Sequence, residues 1–328
     1  MKTQFTHGGW GLVPDEILAI YPKINVTGLK AFNTSPAYFE SAYILKELES
    51  AKAMTLGTRL HYAILEPEKF EMMFVEEPDD SELPINVLHT LDDLKEWCLN
   101  EGLKVSGTKS DLVSRLRDHG SVFETYDEYI ERYCSGREIM KKKEYRAAKR
   151  ILERIKDIPS VDLLLKDGEA EKLGWVIHEC GVIISFRVDY FKSLDKNIAG
   201  FKQFAIDLKT TNSLTTERDL QNFISKDDTH IQGAFYADAL EFLTKLPTAF
   251  AVFAVETTPP YTTMMSILGG ATMECGRADY TKNIYTFKEC HAAGKYPTGF
   301  EKIGTIDFPP YKLSEIENRE AKKLNEGI

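Results

Sequence analysis

The octapeptide Phe204-Ala205-Ile206-Asp207-Leu208-Lys209-Thr210-Thr211 places an acid and a base inside an otherwise apolar run. Alternate residues of a β-strand face opposite sides, so Asp207 and Lys209 share one face while Ile206 and Leu208 share the other. A carboxylate beside an ammonium at the end of a strand is either an ion pair or part of a catalytic site. This short pattern alone does not separate the two interpretations.

A second carboxylate precedes this strand in Phe186-Arg187-Val188-Asp189-Tyr190, where Asp189 ends another predicted strand. Two carboxylates from adjacent strands can converge on one oxygen-rich site of the kind that Mg²⁺ prefers. Lys209 beside such a site could position or deprotonate a water, or neutralise developing negative charge. This chemistry suits phosphodiester hydrolysis, where metal ions clamp the attacking and leaving oxygens.

The rest of the C-terminal half predicts more strands and helices around this pair. Trp175–Glu179, a Cys180-Gly181 turn and Val182–Tyr190 indicate a hairpin, and Ala249–Val255 and Tyr261–Leu268 indicate two further strands. Helical stretches are predicted at about 220–243 and 278–293. A mostly β middle framed by helices predicts an α/β core.

Two predicted helices carry further polar side chains that are candidates for the site. Thr34-Ser35-Pro36 has the composition of a helix start, and a second helix near Gly57 carries His61 before Glu66-Pro67 ends it. Gln232 and Tyr236 lie four positions apart on a later helix, so they share one face.

A separate unit follows an acidic linker at Glu76–Glu82. Leu83–Gly120 predicts a helix at Leu91–Asn100, a Gly102-Leu103 stop, and a second helix that carries Leu112, Val113 and Leu116. This pattern resembles the SAP domain, a helix–extended–helix module associated with double-stranded DNA. The stretch Gly102–Ser110 is a near miss to a phosphate loop, since its lysine comes one residue late and no strand precedes it, so no nucleotide cofactor is expected.

Composition narrows the class of protein. The 328 residues are 43% hydrophobic, and no apolar run approaches the length of a membrane span. The N-terminus lacks a signal-peptide pattern, and the five cysteines are scattered, with no metal or disulfide spacing. We therefore expect a soluble cytoplasmic protein that does not contact a membrane.

The net charge of −10 is unevenly distributed along the chain. Eight acids and one base lie between Glu66 and Glu82, whereas nine bases and three acids lie between Arg137 and Lys156, a predicted basic helix. The basic helix is either a solvated face or a DNA-binding surface, and its charge alone does not decide between them.

The ordered set of motifs is GxxxH, D, DxK and QxxxY, which is the order found in PD-(D/E)XK nucleases of the RecB type. Flanking sequences narrow the resemblance to RecE-type exonucleases, similar to exodeoxyribonuclease VIII; they are LGTRLHYAILEPE, FRVDYF, IDLKTT and HIQGAFYADAL. The resemblance implies a nuclease core, a central mixed sheet flanked by helices, at residues 1–82 and 121–328. The SAP-like helical insert at residues 83–120 is not part of that core.

The resemblance also implies roles for individual residues. Asp189, Asp207 and the Leu208 carbonyl would bind Mg²⁺, with His61 as an additional ligand and Mn²⁺ as a substitute ion. Lys209 would be the catalytic lysine, and Gln232 and Tyr236 would hold the scissile phosphate. Glu171 resembles an acidic residue that acts through a water, with Glu169 as a near alternative. Candidate DNA-binding residues are the bases of the insert and of the basic helix: Lys109, Arg115, Lys141, Lys142, Arg146, Lys149 and Arg150.

The function implied is a Mg²⁺-dependent, ATP-independent exonuclease, encoded by a bacterium or phage. It would degrade linear double-stranded DNA from 5′ to 3′ for annealing-type recombination. A ring-like homo-oligomer and a RecT-like annealing protein are the implied partners. Two alternatives stay open: a RecB-type nuclease of different polarity, some of which hold an iron–sulfur cluster through four cysteines, and a non-catalytic DNA-binding adaptor.

Overall fold

The computed structural model describes residues 5–48, 56–214, 216–299, 301, 303 and 305–325. Its strands are β1 (Phe5–Trp10), β2 (Lys23–Asn25), β3 (Phe74–Glu76), β4 (Val87–Leu88), β5 (Glu124–Thr125), β6 (Glu138–Met140), β7 (Glu169–His178), β8 (Ile183–Ile198), β9 (Phe201–Thr211), β10 (Thr248–Glu256) and β11 (Thr263–Ile267).

The helices lie before, between and after these strands. They are α1 (Asp15–Leu18), α2 (Val26–Thr34), α3 (Pro36–Phe39), α4 (Leu56–Leu65), α5 (Pro67–Met73), α6 (Leu91–Asn100), α7 (Lys109–His119), α8 (Tyr126–Cys134), α9 (Lys142–Lys156), α10 (Pro159–Leu165), α11 (Glu217–Lys226), α12 (Thr229–Thr244), α13 (Gly270–Ala293) and α14 (Pro310–Asn325). A π-helical turn at Glu40–Ile44 continues α3, and a 3₁₀ turn covers Asp80–Glu82.

One mixed sheet organises the molecule, in the order β1-β7-β8-β9-β10-β11, with β2 paired to β8. Neighbours from β1 to β9 run antiparallel, β9 and β10 run parallel, and β11 returns antiparallel to β10. The sequence-based prediction of an α/β fold with a central mixed sheet flanked by helices is confirmed.

Apolar residues alternate along the central strands and fill a core on each face of the sheet. Ala205 on β9 and Val252 on β10 pack with α2, α12 and α13, whereas Phe204, Ile206 and Leu208 pack with α4, α5 and α9. Every residue of β10 is buried, which explains why its sequence is almost uninterruptedly apolar.

The sheet splits beside β8, and this split opens the site described below. β8 pairs with β2 at 183–185 and with β9 at 190–193, so residues 186–189 lie between two different partners on that edge. Because β8 and β9 separate beyond the Tyr190–Ile206 pair, polar groups of both strands become available to other partners.

The unit predicted at residues 83–120 forms two helices with a small core of its own. Thr90 and Thr108 cap α6 and α7 through complete capping boxes, and α6 has the predicted bounds. Its core residues are Leu88, Leu94, Cys98, Leu112 and Leu116. The division into a SAP-like insert and a surrounding nuclease core stays a prediction.

Several predicted elements differ from the structure. The helix expected at about 220–243 is two helices, α11 and α12, because the chain breaks at Asp227 and Asp228, with φ of 50° at Asp228. The basic helix begins at Lys142 rather than Arg137, since residues 138–140 form β6 against β3. The helix predicted at about 278–293 starts earlier, at Gly270. The start at Thr34-Ser35-Pro36 is confirmed, with the Ser35 side chain accepting a hydrogen bond from the Tyr38 N–H.

The acidic and basic stretches pair with each other inside the chain. Lys142 pairs with Asp79, Arg146 with Glu76 at 2.6 Å, and Lys149 with Glu71. These three cations of α9 therefore have partners within the protein. No helix in the described ranges combines the length and apolarity that a bilayer crossing requires.

Candidate active site

A cleft of about 1050 Å³ opens at the split in the sheet. Side chains from α2, α4, β7, β8, β9 and α12 line it, and they include every position of the predicted motif set: His61, Glu171, Asp189, Asp207, Leu208, Lys209, Gln232 and Tyr236. The structure thus brings together residues that are up to 175 positions apart in the sequence.

Asp207 and Lys209 point into this cleft from the same face of β9, as their spacing predicted. Asp207 is 2% exposed, and its Oδ2 lies 3.2 Å from Lys209 Nζ. Burial lowers the pKa of Lys209, but the carboxylates of Asp207 and Asp227 outweigh it, so the pKa lies above its usual value. The charged ammonium favours neutralisation of negative charge over proton abstraction.

Asp189 reaches β9 across the split. Its Oδ2 accepts a hydrogen bond of 3.0 Å from the Leu208 N–H, a donor that the separated strands leave available. Burial first, and then the charge of Asp207, raise the pKa of Asp189 to about 7. Two carboxylates held this close repel each other, and a cation between them would relieve that repulsion.

His61 and Glu171 complete a group of possible metal ligands with Asp189. One ligand atom from each of the three residues lies within 4.8 Å of the other two. Burial lowers the pKa of His61 despite the nearby charges of Asp207 and Glu171, so its imidazole is neutral and able to ligate a metal.

Glu171 enters this group through an unusual backbone conformation. Its φ is 54°, in the left-handed region, although it lies within β7. Side chains other than glycine rarely adopt this conformation, and such outliers concentrate at functional sites. The alternative, Glu169, is not in the left-handed region, and its carboxylate is 62% exposed and pairs with Lys172. The structure therefore places Glu171, and not Glu169, at the site.

Gln232 and Tyr236 both face the cleft from α12, but their polar atoms already bind the protein. The Gln232 side chain donates a 2.7 Å hydrogen bond to Asp207 Oδ1, and the Tyr236 hydroxyl donates one of 2.7 Å to the Arg187 carbonyl. Burial, followed by the charges of Asp207 and Asp189, raises the pKa of Tyr236, which keeps it a neutral donor. Their expected contact with a phosphate stays a prediction.

The donor set fits a divalent cation. Carboxylate ligands suit hard divalent ions such as Mg²⁺ and Mn²⁺, whereas an imidazole ligand is more typical of transition-metal ions. Asp207 Oδ2 is buried and faces the Lys209 ammonium at 3.2 Å. A carboxylate oxygen accepts from more than one direction, so an ion could bind Asp207 beside this ammonium. The three residues whose ligand atoms lie within 4.8 Å of one another include Glu171 but not Asp207, which was expected to bind the metal directly.

Three charged residues pair with the predicted site residues or with each other, and none of the three was predicted. Asp227, at the break between α11 and α12, lies 3.4 Å from Lys209 Nζ and 3.0 Å from Lys30 Nζ. Arg187 lines the cleft and pairs with Glu171 at 2.8 Å. Arg187 could have been found, since it lies two residues before Asp189 on one strand face, but Asp227 and Lys30 belong to no motif.

The other predicted DNA-binding residues lie outside the cleft lining. Lys109 Nζ donates to the His89 carbonyl at 3.0 Å, Arg115 donates to the Lys104 carbonyl, and Arg150 lies over the Tyr261 ring at 6.0 Å. Lys141 is the residue before α9 and is exposed. Their role in DNA binding stays a prediction.

A known protein family matches most of this chain. The model of a family described as "PDDEXK-like domain of unknown function (DUF3799)" matches residues 25–308. The chain belongs to this family. The match runs through α2, α4, strands β7–β11 and α12, so all the residues named above at the cleft fall within it, whereas β1 lies outside it.

A solved structure is also similar to this DUF3799 chain. It is a "putative exonuclease" from Eubacterium rectale, with 11% sequence identity and a TM-score of 0.48, and the match covers 93% of this chain and 98% of the other. A search of the curated proteins finds no match.

Proposed function

We propose that this chain is a metal-dependent nuclease that degrades linear double-stranded DNA as an exonuclease. One observation carries the proposal: His61, Glu171 and Asp189 bring ligand atoms within 4.8 Å of one another, in the same cleft as Asp207 and the charged Lys209. Membership of a PDDEXK-like family supports the same reading of these side chains. The motif order that resembles RecE-type enzymes supports the choice of substrate and an exonucleolytic mode.

The residues of the chain would divide the work of hydrolysis. His61, Glu171, Asp189 and Asp207 would hold Mg²⁺, or Mn²⁺ in its place, with the Leu208 carbonyl as a further ligand. A bound divalent ion supplies an activated water and stabilises negative charge on the phosphate oxygens. Gln232 fixes the orientation of Asp207 through its hydrogen bond to Oδ1.

Lys209 would stabilise the charge that develops on the phosphate. Its ammonium lies between the carboxylates of Asp207 and Asp227, at 3.2 and 3.4 Å. This arrangement holds the cation at a fixed place in the cleft before substrate binds, as electrostatic stabilisation requires.

The finer features of the proposal rest on the resemblance. They are ATP independence, 5′ to 3′ polarity, a role in annealing-type recombination in the cytoplasm, a ring-like homo-oligomer and a RecT-like partner. The sequence between α6 and α7 departs from a phosphate loop, which supports ATP independence.

The test is degradation of linear duplex DNA, labelled at one 5′ end or one 3′ end, in Mg²⁺ without ATP. A covalently closed circle is the matched substrate. We expect loss of the linear duplex only, with the 5′ label released first. Cutting of the circle would show an endonuclease instead, and early release of the 3′ label would reverse the polarity. DNA binding in EDTA without cleavage in Mg²⁺ would indicate the adaptor.

A further inference from the structure

A second cavity, of about 500 Å³, lies away from the cleft, between the segment 80–90 and helix α6. We call it the insert groove. Val87, Leu88 and Trp97 give it an apolar floor, and Val87 and Leu88 are nearly fully buried. At its rim Ile85 is 92% exposed, which is a large apolar side chain left in water.

The charge of the insert groove is one-sided. Asp80, Asp93 and Glu96 line it, and no lysine or arginine does so among the described residues. Asp93 caps α6, and Asp80 lies 3.3 Å from His89, which also lines the groove. Glu96 is exposed on α6. A duplex placed here would bring its phosphates against carboxylates, which is the reverse of a DNA-binding surface.

Trp97 supplies an unused hydrogen-bond donor at the groove. Its indole Nε1 is buried and meets no acceptor in the described ranges. Buried donors of this kind are rare, because leaving one unsatisfied costs about 1–3 kcal/mol. Because this nitrogen is fully buried, a ligand in the groove would reach the Trp97 ring rather than its N–H.

We propose that the insert groove binds a segment of another protein that carries an apolar side chain flanked by lysine or arginine. The apolar side chain would cover Ile85 and the floor, including the Trp97 ring, and the basic residues would face Asp80 and Glu96. The insert then attaches this chain to a protein partner rather than to DNA. This inference does not depend on the nuclease proposal.

The probe is an acetylated, amidated decapeptide with a central leucine between two pairs of lysines, and the matched peptide carries glutamate in place of each lysine. Binding to the full-length protein is measured by calorimetry, and the emission of Trp97 reports occupancy by comparison with Trp97→Phe. We expect saturable binding of the lysine peptide and none of the glutamate peptide.

Two variants separate the groove from general charge. Glu96→Lys should weaken the lysine peptide about tenfold, because it places like charges together in the groove. Asp92→Lys changes the charge of the same helix outside the groove lining, and it should leave the affinity within about twofold, since exposed charges outside a contact contribute little.

Three outcomes would overturn the proposal. The first is no saturable binding of the lysine peptide at millimolar concentration. The second is equal weakening by Asp92→Lys and Glu96→Lys, which would show general charge attraction. The third is a Trp97 emission change on short duplex DNA that exceeds the change on peptide, which would assign the groove to nucleic acid. Cleavage of linear DNA by the Glu96→Lys variant is a separate readout and should be unchanged.

Discussion

The left-handed backbone of Glu171 predicts an unusual order of stability for its glycine and alanine variants. At φ of 54°, a residue with a Cβ pays about 1–2 kcal/mol relative to glycine. In an ordinary strand position, alanine is instead more stable than glycine by about 0.5–1 kcal/mol. The two terms together make Glu171→Gly more stable than Glu171→Ala by about 0–1.5 kcal/mol.

Glu169 is the matched control because it lies on the same strand, outside the left-handed region. There Glu169→Ala should be more stable than Glu169→Gly by about 0.5–1 kcal/mol. The difference between the two positions is then the strain itself, about 1–2 kcal/mol. Losses of the Glu171–Arg187 and Glu169–Lys172 pairs cancel, since each is absent from both variants at its position.

The assay is urea unfolding of all four variants in EDTA, followed by circular dichroism. Calorimetric titration of the same proteins with Mn²⁺ measures their affinity for the metal. Both Glu171 variants should bind Mn²⁺ more weakly than wild type, and both Glu169 variants should bind it normally. If alanine is the more stable residue at both positions, the strain argument is refuted; if Mn²⁺ affinity is unchanged at 171, Glu171 is not a ligand.

Three further predictions concern the site and its support. The pKa of Asp189 is raised to about 7, so its carboxyl must lose a proton before a metal binds. The affinity for Mn²⁺ should therefore rise between pH 6 and pH 8. Calorimetry that shows no pH dependence would contradict this. Tyr236→Phe removes the hydroxyl that donates to the Arg187 carbonyl and should lower the free energy of unfolding by about 1–3 kcal/mol. The control Tyr285→Phe removes an exposed hydroxyl and should lower it by under about 0.5 kcal/mol. Gly276→Ala would bring a Cβ within 2.1 Å of the His230 carbonyl and should lower the free energy of unfolding by about 1–3 kcal/mol. In the control Gly270→Ala, the new Cβ meets nothing within 4 Å, so this variant should not be destabilised. Equal melting temperatures of the two variants would refute the close packing of α12 on α13.

Local patterns predicted the central strands and the grouping of the site residues well. The alternation around Asp207 and Lys209 and the four-residue spacing of Gln232 and Tyr236 each determine a shared face, whatever the tertiary structure. Asp189 was predicted to end a strand, but β8 continues to Ile198. Asp189 reaches the cleft because β8 and β9 stop pairing beyond Tyr190 and Ile206, which leaves the Leu208 N–H to its carboxylate. His61 lies in the cleft as the family resemblance implied.

The features that the sequence did not show depend on tertiary contacts. Asp227 joins the site only because the chain breaks between α11 and α12 and turns its carboxylate toward Lys209. The left-handed conformation of Glu171 has no sequence signal, since glutamate is not a residue that favours it. The pairing of α9 with the acidic stretch, as in Arg146 with Glu76, required the positions of both elements in space.

The most direct measurement of the central claim is the rate of linear duplex degradation in Mg²⁺ by wild type, Asp207→Asn and Glu169→Gln. Asp207→Asn keeps the volume of the buried side chain and removes the charge that faces Lys209, and Glu169→Gln removes a charge from an exposed site on β7. We predict that Asp207→Asn reduces the rate to that of the EDTA control, whereas Glu169→Gln leaves it unchanged. Degradation at the wild-type rate by folded Asp207→Asn would contradict the assignment of phosphodiester hydrolysis to this cleft.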